Sequence, residues 1–331
     1  MIPEHLLKSL FLFLKNWTLP IAMTCGIMGY FIYTGIPALL PTRMFVHNAV
    51  AFIQPALIFS MLFITFCKVD PHHLRLRRWH GWLLLIQTTV FSLLSLILIV
   101  LSQHLSAGSI AIVEGAMLCF ICPTATAGAV VTARLGGDAA GLTTYTIFIN
   151  IAAAVIVPLF LPLIHPHPEL DFLNSFSLIV GKVFPMLICP FFAAMLIRRL
   201  FPRIHNIILK CKDLDFYLWA IALSVAIAIT VRSIVHTNVS LINQIGIAFV
   251  SLISCVIQFR IGRYFGKRYG CPISAGQSLG QKNTVFAIWM GYTFLTPVSA
   301  IAGGFYSVWH NIFNSWQLYE KRKKEAYLSE R

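Results

Sequence analysis

The sequence predicts an all-α polytopic membrane protein of about ten transmembrane helices, and three observations lead there. Of 331 residues, 58% are hydrophobic and only 11% are Asp, Glu, Lys or Arg, against roughly 25% charged in an average soluble domain, so most of the surface has to face hydrocarbon. Apolar stretches of the about 20 residues needed to cross a bilayer recur from Trp17 to the tail. The net charge of +14 is distributed between those stretches rather than gathered in one patch or stripe, which argues for membrane topology and against a nucleic-acid partner.

In chain order, the Leu6 to Leu14 run is closed by Lys15 and reads as a short amphipathic lead-in, not as a cleaved secretory signal. The spans then fall at 17–35, 46–67, 79–101, 109–133, 140–164, 173–197, 216–234, 241–262, 273–295 and 297–318. Even-numbered connections are basic: Lys68, Arg75, Arg77 and Arg78 in the second, Arg134 in the fourth, Arg198, Arg199, Arg203, Lys210 and Lys212 in the sixth, Arg260, Arg263, Lys267 and Arg268 in the eighth. The tail adds Lys321 to Lys324, whereas the odd-numbered connections hold little beyond Arg43, Arg232 and the acidic Glu169 and Asp171. The positive-inside rule then puts both termini in the cytoplasm. Short loops point to a bacterial inner membrane, with the bilayer as the main partner.

Five spans on each side of the fifth connection divide the chain into residues 1–168 and 169–331. The second half is then inserted upside down relative to the first, the inverted-repeat plan of many secondary transporters. Pro20 opens the first span and Pro185 lies in the sixth, while the fourth and ninth each carry a polar, helix-breaking stretch. In the fourth, Cys122-Pro123-Thr124-Ala125-Thr126-Ala127-Gly128 places a proline and small residues at mid-depth, where proline removes a backbone hydrogen bond. In the ninth, Gly276-Gln277-Ser278-Leu279-Gly280-Gln281-Lys282-Asn283-Thr284 sets glycines and polar side chains inside an apolar segment. Irregular backbone at that depth is tolerated only where it is buried in protein or lines a cavity, so a binding site is expected between the two breaks. Its freed carbonyls are able to hold a cation and its freed amides an anion.

At these residues the chain resembles the bile acid:sodium symporter family. Cys122-Pro123, Thr126-Ala127 and Gly137-Asp138 resemble its fourth-helix pattern, Gly280, Asn283, Thr284 and Ala287 its ninth-helix pattern, and Ser307-Val308-Trp309-His310-Asn311 its tenth-helix Ser-Val-Trp-His-Asn. The resemblance implies crossed, broken fourth and ninth helices in a core domain beside a smaller panel domain. It also implies alternating access that carries small organic anions with sodium. It places a cation or coupling site at Gln87, Thr132, Thr146, Ser278, Gln281, Lys282 and Asn283, and substrate or crossover positions at Pro123, Thr124, Thr126, Gly128, Thr284, His310 and Asn311. The chain departs from the family where Gly128-Ala129 replace Ser-Asn, Ser278 replaces Glu and Lys282 replaces Gln. Hard cations want oxygen ligands, and an ammonium stands here where a second sodium would lie. Lys282 is therefore expected to replace the ion, holding the crossover through Gln87, nearby carbonyls and Ser278. Transport would then be sodium-independent or proton-coupled; a conventional sodium symporter with altered ligands is the alternative.

Other residues have a plain reading beside a functional one. Lys282 and Lys182 could snorkel to an interface. Glu114 is a candidate proton relay or a counter-ion for Lys182 or Lys282, and equally a structural ion pair. His310 could carry a proton or simply pack, and Asp138 reads as a helix N-cap. His72, His73, His165 and His167 lie in connections and are expected to face water. The eight cysteines are scattered through apolar segments or beside their ends, with no His spaced for a metal site. HExxH is absent, and the match of Gly276-Gln277-Ser278-Leu279-Gly280 to GxSxG lies inside an apolar span, not on the strand-to-helix turn that such an elbow needs. These features count against a metal-dependent or lipid-modifying enzyme and suggest no cofactor beyond sodium. A channel or a non-transporting receptor stays open.

Overall fold

The computed structural model describes residues 17–166, 168–211 and 214–329; the expected lead-in, His167 and Lys212 lie outside them. Among the described residues there are fourteen α-helices and no strand. They are α1 (Thr18–Gly35), α2 (Arg43–Cys67), α3 (Arg78–Leu101), α4 (Ala107–Ile121), α5 (Gly128–Leu135), α6 (Ala139–Ile164) and α7 (Phe172–Leu187). There follow α8 (Cys189–Leu200), α9 (Pro202–Lys210), α10 (Leu214–Val235), α11 (Leu241–Lys267), α12 (Pro272–Gly280), α13 (Thr284–Phe294) and α14 (Ala300–Ser329). Each expected span contains a helix or a helix pair. Five of the helices, α2, α3, α6, α10 and α11, are long and apolar enough to cross a bilayer, and α7 with α8 makes a sixth.

Local chemistry sets the ends. Asp138 caps α6, its Oδ1 accepting from Gly141 N at 2.9 Å; Asp171 caps α7 in the same way through Asn174 N at 2.8 Å. Both satisfy an amide that the first helical turn leaves open. Gly136 closes α5 at φ 84°, a left-handed conformation that a side chain resists. The expected sixth span bends by 41° between α7 and α8, where Pro190 has no N–H to continue the ladder.

Two packing groups emerge. Helices α1, α2, α7, α8 and α10 pack on one another, while α3 to α6 and α11 to α14 form the second group. The α11–α12 contact is close: a Cβ on Gly262 would lie 2.5 Å from the Ala275 carbonyl oxygen. Outward, large apolar side chains such as Phe52, Val100 and Ile242 are 76%, 68% and 72% exposed, a surface suited to lipid rather than water.

Candidate functional site

The two helix breaks meet. The six residues between α4 and α5 run antiparallel to the three between α12 and α13, with Thr124 opposite Lys282. Ala125 N donates to Gln281 O at 2.9 Å and Asn283 N donates to Pro123 O at 2.8 Å. Thr124 Oγ1 donates to Ser278 O at 2.6 Å, and Asn283 Oδ1 caps α13 by accepting from Phe286 N at 3.2 Å. Each broken helix thus closes the open backbone of the other, which answers the demand that buried amides and carbonyls be paired.

The remaining carbonyls receive side-chain donors. Gln87 Nε2 donates to Cys122 O at 3.0 Å and is oriented by Tyr145 Oη, which donates to Gln87 Oε1 at 2.6 Å. Gln258 Nε2 donates to Cys119 O at 3.0 Å, and Tyr306 Oη to Gly280 O at 2.9 Å. Lys282, 1% exposed, extends its amine to Phe120 O at 3.2 Å. That burial excludes snorkelling. One expectation is corrected: Gln87 holds Cys122 O rather than Lys282. Of the crossing amides, Ala125 N and Asn283 N are committed to carbonyls. Unpaired oxygen remains at Thr132 Oγ1, Ser278 Oγ and Gln281 Oε1.

Beside the crossing lies a cavity of about 960 Å³ between α1, α2, α7, α10 and α13. Arg43, Lys182 and Arg232 line it together with His47, His236, three tyrosines and Trp289, and no acid is among its lining residues. Arg232 Nη1 lies 3.3 Å from His47 Nδ1; since guanidinium only donates, that imidazole nitrogen accepts. Arg232 also sits 5.9 Å from the Tyr292 ring and Lys182 sits 5.6 Å from the Phe294 ring, cation–π arrangements in which the ring faces attract the charge. At the cavity wall, buried Gln54 reaches Val285 O in the first turn of α13 at 3.5 Å.

A family model described as the Sodium Bile acid symporter family matches residues 55–257. The chain belongs to that family. No curated protein matches it. The sodium bile acid symporter family consists of transporters, and its model covers the α4–α5 break but stops ahead of the segment that carries Lys282.

Of the positions the family resemblance singled out, the structure joins Gln87, Pro123, Thr124, Ser278, Gln281, Lys282 and Asn283 in one hydrogen-bonded crossing. Gly128 and Thr284 begin the helices that leave it, and Thr126 is part-buried in the loop. Thr146 and Asn311 bond instead to carbonyls of their own helices, Leu142 O at 3.0 Å and Ser307 O at 2.6 Å. His310 is buried with Nδ1 unpaired, its ring 5.8 Å from that of Tyr306. Glu114, fully buried, pairs with neither lysine. Its carboxylate meets His165 Nε2 at 2.6 Å, Thr296 N at 3.0 Å and Thr296 Oγ1 at 3.1 Å. This ties α4 to the end of α6 and to the α13–α14 link; His165 is exposed, as expected, and its Nε2 also meets the buried carboxylate.

Sequence reasoning passed over Tyr145, Gln258 and Tyr306, which supply crossing contacts, and it named Lys182, Arg43 and Arg232 without bringing them to one cavity. The cavity did leave a signal. Arg43 and Arg232 are the two basic residues that break the alternation of loop charge, and both face it.

Proposed function

We propose that the protein is a secondary transporter of small organic anions working by alternating access, with the cavity beside the crossing as its substrate site. The observation that carries this reading is the pairing of an acid-free cationic cavity with a wall, α13, that starts at the crossing. A ligand there touches the helix whose N-terminus is fixed by the other broken helix, so binding and helix position are coupled.

The proposal includes ten crossings arranged as two inverted halves, 1–168 and 169–331, both termini in the cytoplasm and a bacterial inner membrane. Support comes from the matching breaks at α4–α5 and α12–α13 and from the way each half contributes helices to both packing groups. The α1, α2, α7, α8 and α10 group plays the panel, the other group the core. Lys282 serves as a tethered cation at the crossing, and transport runs without sodium or with protons. The unpaired oxygens of Thr132, Ser278 and Gln281 favour a second reading, sodium symport through rebuilt ligands.

Uptake of a labelled bile acid and of a labelled small carboxylate into proteoliposomes separates these readings. Accumulation that ignores a sodium gradient is expected. Accumulation driven by sodium would establish the second reading, and passive flux seen as single-channel current would replace the carrier with a channel.

A further inference from the structure

The cavity carries more positive charge than one carboxylate can neutralise. Arg43, Lys182 and Arg232 all line it, and among the described residues no carboxylate pairs with any of them. Arginine keeps its charge at any physiological pH. The neighbours of these groups do not offset it: Arg232 faces an imidazole nitrogen and an aromatic face, and Lys182 an aromatic face. Three like charges around one recess with low-dielectric walls repel one another and concentrate counter-charge. A ligand with one negative charge leaves two of the cations uncompensated.

Much of the remaining lining is apolar: Val50, Ala51, Val225, Ala228, Ile229 and Trp289 present hydrocarbon and an indole to the same space, beside two threonines, three tyrosines and two histidines. Buried Gln54 also lines it, its amide directed at Val285 O. The volume of about 960 Å³ is at the upper end of pockets that enclose a drug-sized molecule. The recess therefore suits a body with apolar surface joined to a strongly charged head, and its size exceeds that of an inorganic ion alone.

Resting on the reading of this cavity as the substrate site, we infer that its preferred ligand is an amphipathic dianion: a ring or hydrocarbon body bearing a phosphate ester or two carboxylates. Arg43, Lys182 and Arg232 together recognise the second negative charge. Arginine suits this, because its planar fork meets phosphate or carboxylate oxygens two at a time.

The test compares probes that share one body. Binding of 1-naphthyl phosphate, 1-naphthalenesulfonate, 1-naphthol and inorganic phosphate to the purified full chain is measured at pH 8 by thermal shift and titration calorimetry. A phosphate ester carries nearly two charges there, its second pKa being near 6, while the sulfonate carries one. The expected result is binding of the phosphate ester at least about 10-fold tighter than the sulfonate, a step of about 1.4 kcal/mol, with naphthol and inorganic phosphate far weaker. Arg232→Gln and, independently, Lys182→Gln should each narrow the gap between phosphate ester and sulfonate. Equal binding of the two anions would overturn the dianion inference while leaving an organic-anion carrier intact. Binding of neither anion would overturn both readings, and a gap unchanged in both variants would overturn the assignment of these cations.

Discussion

A lysine amine is enclosed at the meeting of two broken helices, and the tethered-cation reading proposed for it can be tested at that one residue. Lys282 Nζ lies on Phe120 O, and among the described residues no acid pairs with it. Removing the amine should create a vacancy for an ion. Wild-type protein is expected to melt at the same temperature in sodium chloride and in choline chloride at matched ionic strength. Lys282→Gln should lower stability and gain a saturable sodium shift, since a ligand at one hundred times its Kd adds about 2.7 kcal/mol. A sodium shift in wild type would contradict the tethered-cation reading. Thr124→Val, which strands the buried Ser278 carbonyl, should cost about 1–3 kcal/mol, read as a fall in melting temperature. Lys282 was legible in the sequence because a charge inside an apolar stretch is conspicuous. Gln258 and Tyr306 were not, because in long apolar helices they resemble any interfacial polar residue, and only the fold brings them to Cys119 O and Gly280 O.

At the scale of elements, α11 and α12 depend on bare backbone at Gly262. Gly262→Leu should separate them and collapse the detergent-extracted protein into aggregate, detected as loss of the monodisperse peak on size exclusion. Helix α14 shows a second kind of dependence. Ser307, His310, Asn314 and Gln317 recur at helical spacing, are all buried, and each keeps a polar atom without a protein partner. Asn314 and Gln317 accept from Gln277 of α12 at 3.0 and 3.3 Å, and Arg263 of α11 reaches Gln317 at 2.6 Å. Buried polar atoms left open by protein are normally met by water. Radiolytic footprinting is therefore expected to label His310 despite its 4% exposure, and to spare the fully buried Phe91 in its apolar surroundings. The breaks in the fourth and ninth spans were readable from Pro123 and the glycine-flanked polar run. The stripe on α14 was half legible: Ser307 and His310 belong to the Ser-Val-Trp-His-Asn motif, whereas Asn314 and Gln317 lie beyond it and Asn311 turns its amide back on its own helix.

For the whole molecule, helix positions were legible since hydropathy is a local property and each expected span holds a helix or helix pair, five or six of them long and apolar enough to cross a bilayer. The cavity was not, because its lining is assembled from five helices distant in sequence. Its two arginines were visible only as exceptions to the charge pattern. The proposed topology makes a direct prediction: a reporter active only in the cytoplasm should work when fused after Arg331 and fail when fused after Leu105, in the third connection. Activity at both points would remove the alternating topology on which the inverted halves depend.

The reciprocal backbone pairing at the crossing also constrains biogenesis. Pro123 O and Ala125 N find their partners in Asn283 and Gln281, so a ribosome delivers the first break long before the atoms that complete it exist. Until then the nascent fourth span carries open polar backbone within the bilayer. It has to wait in a position that shelters this backbone, beside the translocon, a chaperone or lipid headgroups. The first half made alone is accordingly expected to be degraded, and co-expression of residues 169–331 as a separate chain should rescue it.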